Sequence, residues 1–234
     1  MSNQRPQPER HSPGAPRLAR WAAMLATPIV IAGISLAVLF NPWWISPAQA
    51  RAGVPAITGY PIAEVARVTD ALIRDVTLGP PDFAVMADGV PVLDAAERGH
   101  MRDVYSVLRL FSAAVVIAVV TLAVTGIRHR RSPRWWRSVG RAALVTAVTG
   151  LTIGAAFAVF FDAAWEAFHL VFFPGGNYAF DPSVERLTQL FPVGFWMDAV
   201  RTVFAVGLAV ALAIWLSTSV VVRSLESART APRT

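Results

Sequence analysis

Four runs of about twenty apolar residues punctuate this chain, and each is long enough at 1.5 Å per residue to cross a bilayer. They lie at about Trp21 to Phe40, Val107 to Ile127, Ala142 to Phe161 and Ala199 to Val222. Inside lipid every backbone N–H and C=O must find a partner within the protein, so each run is expected to be a helix. Composition agrees: 55% of residues are hydrophobic and 15% are charged, against roughly 25% charged in soluble domains. The expected fold class is an all-α membrane protein with four transmembrane helices and a small α/β insertion between helices 1 and 2. With no cysteine in the chain, disulfides, thiol catalysis and cysteine-ligated metal are excluded.

The net charge is +6 and all 21 basic residues are Arg. They cluster beside the apolar runs, which marks a topology signal and not a nucleic-acid partner. Arg5, Arg10, Arg17 and Arg20 precede the first run. The loop "RHRRSPRWWRSVGR" between the second and third runs holds six Arg and no acid. Arg223, Arg229 and Arg233 follow the fourth. Loop 41–106 instead carries Asp70, Asp75, Asp82, Asp88, Asp94 and Asp103 with Glu64 and Glu97. This asymmetry predicts a multi-pass membrane protein with both termini cytoplasmic and loops 41–106 and 162–198 outside. The expected division is a disordered tail at 1–17, a membrane domain at 18–222 and a second tail at 223–234. Trp43, Trp44, Phe172, Phe173, Phe195 and Trp196 fall at the outer boundaries and Trp21, Trp135 and Trp136 at the inner one, as an interfacial belt requires. "SPAQA" after the first run has the form of a signal-peptidase site. The length of that run and the "NPWW" anchor favour a retained span.

Within the first outer loop, Ile62, Val65, Val68, Leu72 and Val76 recur at helical spacing and predict an amphipathic helix over 61–77, packed on the bundle or laid in the interface. Asp88-Gly89 between two short β-prone runs predicts a hairpin. Asp94, with Glu97 three residues on, reads as a capped helix start continuous with the second span. The third span is expected to overrun the bilayer as one helix until "PGG" at 174–176. Asp181 and Pro182 predict a short helix thereafter.

Two motifs stand out against this scarcity of charge. "ERGHMRDV" places Glu97, His100 and Asp103 on one face of the helix entering the second span. "EAFHLVFF" follows Asp162 and places Glu166 and His169 on one face of the helix leaving the third. His100 stands seven residues before its run and His169 eight residues after its own, so both lie roughly 10–12 Å beyond the hydrocarbon edge. At matching height on antiparallel helices they are able to form one cluster. His11 in the tail and His129 in the basic loop read as solvated. Glu97 also has a plain reading as half of a capping box.

Three chemistries suit these residues. Histidine titrates near neutrality and moves protons readily, with neighbouring carboxylates fixing its tautomer. Arg102 and the backbone N–H groups of the 174–177 turn are candidate oxyanion donors. A doubled Glu-x-x-His is also half of a di-metal bundle, but the other two helices supply no Glu. The third reading is a non-catalytic lipid- or partner-binding scaffold with helix 61–77 as its contact surface. No Gly-x-Ser-x-Gly elbow is present, so direct transfer between two substrate groups is favoured over a serine acyl-enzyme.

"ERGHMRDV" and "FHLVFFPGGNYAFDPSVERLTQLFPVGFWMD" resemble a family of four-span bacterial membrane proteins that includes the lipoprotein intramolecular transacylase. The resemblance implies transfer of an acyl chain from the sn-2 ester of a diacylglyceryl-cysteine to that cysteine's α-amino group. It implies a bacterial plasma membrane as the location and His100 and His169 as the essential pair; Glu97, Asp103 and Glu166, which share their helix faces, are expected to orient or tune them. Arg102, Asp162, Trp165 and Tyr178 are the expected substrate contacts. No cofactor or metal is implied; the partners are membrane lipid and a lipidated protein. Two departures, Tyr178 where the family shows a Trp and Val193 where it shows an acid, bear on the substrate and not on the fold.

Overall fold

The computed structural model describes residues 15–230. His11, Arg5, Arg10 and Arg233, and most of the tail read as disordered, lie outside the described residues. Four helices are long and apolar enough to cross a membrane. They are α1 (Arg17–Ala37), α5 (Ala95–His129), α6 (Pro133–Val159) and α9 (Val193–Thr230). Between α1 and α5 come α2 (Pro42–Arg51), α3 (Val54–Thr58), α4 (Ile62–Thr77) and the strand pair β1 (Met86–Ala87) and β2 (Val90–Pro91). Between α6 and α9 come α7 (Phe161–Phe172) and α8 (Arg186–Leu190). The described residues thus form an all-α membrane protein with one small two-stranded insertion.

The spans pack through small residues, as helices in lipid do when no hydrophobic force separates them from the solvent. Ile31 of α1 meets Ala143 and Ala147 of α6 and Ala211 of α9 in one buried layer. Thr27 and Ser35 of α1 are buried, and each hydroxyl donates to the carbonyl four residues back, Ala23 at 2.7 Å and Ile31 at 2.8 Å. At Gly140 a Cβ would sit 2.5 Å from Thr218 Oγ1 of α9. Gly140→Val therefore forces α6 and α9 apart, and overpacking of this kind costs about 1–3 kcal/mol. The expected outcome is a lower melting temperature in detergent, with Gly140→Ala intermediate.

A second core sits above the bundle at the end carrying α2 to α4. Val65, Val68, Leu72 and Val76 of α4 are buried against Phe83, Val85, Leu93, Leu187 and Leu190. Burial of each such side chain contributes on the order of 1.5–3 kcal/mol. The amphipathic helix is therefore part of a folded cap and does not lie free in the interface. Ile62, grouped with that face by spacing, is 60% exposed at the first position of α4. The hairpin turns at Asp88 and Gly89, whose φ values of 51° and 77° are left-handed at both central positions, as a two-residue turn demands. Asp94 caps α5 in a full capping box with Glu97.

Several expectations change. The third span does not run on as one helix: α6 ends at Val159, and Phe160, with a ψ of 48°, turns the chain before α7 begins. Asp181 does not cap a helix that starts at Pro182. It accepts from the Ser183 N–H at 2.8 Å to close a turn, and α8 starts five residues later. Helix α1 already begins at Arg17, and α9 stays helical to Thr230. "SPAQA" is helical within α2, with Ala48 and Gln49 buried. Trp44, Trp135, Phe173 and Phe195 are buried and serve packing where a belt was expected. Trp44 Nε1 donates to Thr202 Oγ1 at 3.1 Å.

Candidate functional site

The cap end of α5 and the free end of α7 bring the two histidines together. His100 and His169 have ring centroids 6.3 Å apart and nearly parallel planes, 27° between them. Both are buried, although each stands outside the apolar part of its span. Aromatic rings enclose them. Phe173 lies 4.8 Å and Phe180 5.6 Å from His100. Trp165 lies 4.6 Å and Tyr178 4.7 Å from His169. Helix α7 supplies one wall because Trp165 and His169 are four residues apart and share its face. The stretch from Phe173 to Phe180 folds back over both imidazoles after the turn at Gly176, where φ is 74°.

Hydrogen bonds orient the pair unequally. His169 Nδ1 lies 2.8 Å from the Trp165 carbonyl oxygen. A carbonyl only accepts, so Nδ1 carries the proton and the neutral ring keeps its lone pair at Nε2. His100 Nδ1 is buried and makes no hydrogen bond among the described residues. Leaving such a group unmatched costs about 1–3 kcal/mol. Each ring thus has an uncommitted nitrogen.

The carboxylates divide between histidine neighbours and scaffold. Asp103 accepts from Asn177 Nδ2 at 2.6 Å, and Glu166 accepts from the Tyr178 hydroxyl at 2.8 Å. The adjacent residues Asn177 and Tyr178 therefore fasten the covering strap to α5 and α7. The Glu166 carboxylate raises the pKa of the Tyr178 phenol. Glu97 is spent differently. Its Oε1 accepts from the Leu187 N–H at 2.6 Å and its Oε2 from the Asp94 N–H at 2.7 Å. It pins the start of α8 to the start of α5. Arg102 is exposed, and Asp162 is exposed in the first turn of α7, two turns before His169, where a negative charge suits the helix terminus. The structure brings His100, His169, Asp103, Glu166, Trp165 and Tyr178 together, and leaves Arg102 and Asp162 at the surface. Sequence reasoning missed Asn177, Phe173 and Phe180. Their only signal was position, in a short aromatic segment right after the His169 helix. Among the described residues no group of three His, Asp or Glu side chains is placed to hold a metal ion.

Burial lowers the pKa of His100, and proximity to His169 adds to this; Asp103 and the Asn177 amide offset part of it. An unfolded chain, with His at its ordinary value near 6.5, then binds a proton that the folded protein does not. Stability is present above that value and is lost as pH falls below it. We expect the melting temperature to drop on acidification from pH 7 toward 5, and the drop to shrink in His100→Gln.

This geometry meets an independent finding: the profile of the lipoprotein intramolecular transacylase Lit matches residues 21–196. The chain belongs to the Lit family. The match runs through α1 and both histidine helices to the start of α9. The fold is also similar to solved structures of the membrane-integral lipoprotein intramolecular transacylase Lit from Bacillus cereus. One aligns with a TM-score of 0.77 at 17% identity, covering 90% of this chain and 97% of that one. A histidine-to-arginine variant of that protein aligns at 0.74 and 16% identity, covering 91% and 94%. A histidine-to-alanine variant aligns at 0.74 and 16%, covering 90% and 95%. No curated protein sequence matches the chain.

Proposed function

We propose that this Lit-family protein transfers an acyl chain from a lipid ester to the N-terminal amine of a lipid-anchored protein, with His100 and His169 moving the protons. Convergence of the two imidazoles, in a chain with no cysteine and no serine elbow, is the observation that carries this reading. The amine nitrogen attacks the ester carbonyl, an N–C bond forms, and the C–O bond to glycerol breaks. The net proton movement is from nitrogen to the departing oxygen, so no group on the enzyme is consumed. His169 Nε2 is the base, since Nδ1 is held by the Trp165 carbonyl. The imidazolium that forms keeps that hydrogen bond and faces Tyr178 and its Glu166 partner. His100, whose apolar surroundings favour the neutral ring, relays the proton toward glycerol. Amine and ester belong to one substrate, and holding them together supplies much of the rate through proximity.

In this reading the histidine end of the bundle faces outward at the level of lipid headgroups, which the clustering of arginine beside the opposite ends of the spans supports. Asp103 and Glu166 act on the histidines through Asn177 and Tyr178, and Glu97 positions the cap. The experiment is fragmentation mass spectrometry of lipoprotein N-termini from a host that expresses this protein. An acyl chain on the amine and a free glyceryl hydroxyl are the expected products, and their absence overturns the reading.

A further inference from the structure

Along the α6–α9 pair runs a lipid-facing groove of about 230 Å³, whose cap end reaches Phe161, the ring that stacks on Trp165. Its walls are apolar: Gly150, Leu151 and Phe157 from α6 face Phe204 and Leu208 from α9. Phe204 lies across Gly154, where a Cβ would approach it to 2.9 Å, so the missing side chain keeps the two helices close behind the groove. From Ala158 to Gly150 the groove follows the helix axis for about 12 Å. At its cap end stands Arg201, two residues into the apolar run that begins at Ala199 and therefore at the hydrocarbon boundary.

Charge at that end is unbalanced. Asp198 Oδ1 pairs with Arg201 Nη1 at 3.3 Å, and Asp198 Oδ2 pairs with Arg51 Nε at 3.1 Å. One carboxylate thus serves two guanidiniums, whose side chains are 66% and 58% exposed. Within this trio one positive charge is left over; Asp162, exposed one residue past the groove-lining Phe161, makes no ion pair with either arginine among the described residues. A guanidinium matches a phosphate bidentately, and an Arg at this depth reaches up to the headgroup layer.

We propose that this groove holds one anionic phospholipid, with an acyl chain against Phe157 and Phe204 and its phosphate on Arg201 and Arg51. The excess positive charge selects an anionic headgroup over a zwitterionic one. The lipid stays bound as part of the bundle and takes no part in acyl transfer, so the site stands whatever the histidines do.

Native mass spectrometry of the detergent-purified full chain, incubated with phosphatidylglycerol or phosphatidylcholine, tests this. The expected result is a single phosphatidylglycerol adduct on the unaltered protein and little phosphatidylcholine. Arg201→Gln and Arg51→Gln should each lower its occupancy about tenfold, the loss of one charge-assisted hydrogen bond. Ala158→Trp and Ala205→Trp, at exposed groove positions on the two helices, should block it while the melting temperature is kept. Equal retention of the two lipids overturns the proposal, as does an adduct unchanged in the arginine and tryptophan variants.

Discussion

His169→Ala should lower the rate of acyl transfer by about 10²–10⁴-fold, the range that positioned acid–base groups contribute. The protein should still insert and fold, because the ring's one hydrogen bond goes to the carbonyl of its own helix, Trp165. His100→Ala should cost a similar factor, and the double variant should lose little more than either single change. Two groups that pass one proton fail together, so their effects do not add. A scaffold that only binds lipid or partner predicts the opposite, with normal function in both variants. Purified protein with a diacylated lipopeptide, assayed for the N-acylated product, separates the two.

Glu97→Leu should be the most destabilising single change at the site. The carboxylate is buried and accepts from two backbone amides, those of Asp94 and Leu187. Without it both amides are orphaned in a buried setting, at about 1–3 kcal/mol each, or about 2–6 kcal/mol together. That is a large share of a typical stability of about 5–15 kcal/mol. The start of α8 would then come away from α5. Glu97→Gln should cost less, because the amide oxygen still accepts one of the two bonds. Thermal unfolding in detergent gives the order Glu97, Gln, Leu from most to least stable, and hydrogen exchange at Leu187 reports the local release. If Glu97→Leu melts with the unaltered protein but loses transfer like the histidine variants, Glu97 acts in the chemistry and not in the scaffold.

Much of this arrangement was legible in the sequence because it rests on short-range rules. Apolar run length gave the four spans, Asp94 with Glu97 gave the helix start, and Asp88-Gly89 gave the hairpin. Equal distance from the apolar runs placed the two histidines at one height, and they do meet. What escaped depends on packing between distant segments. The break at Phe160 has no proline or glycine to announce it. The ring stack of Phe161, Trp165 and Trp196 around α7 has no one-dimensional signature. Glu97 finds Leu187 ninety residues on, and spacing alone paired it with His100. Asn177 became visible only when the strap folded back onto Asp103.

Intramolecular transfer leaves the total mass of a lipoprotein unchanged, so its signature is where the chain sits. The decisive measurement is therefore fragmentation of the lipidated N-terminal peptide from a host without its own N-acylating activity. That host carries either this protein or its His100→Ala, His169→Ala form. The expected result is an acylated α-amine with a monoacyl glyceryl group in the first case and an untouched diacylglyceryl amine in the second. The same N-acylated product from both, or from neither, would contradict the account.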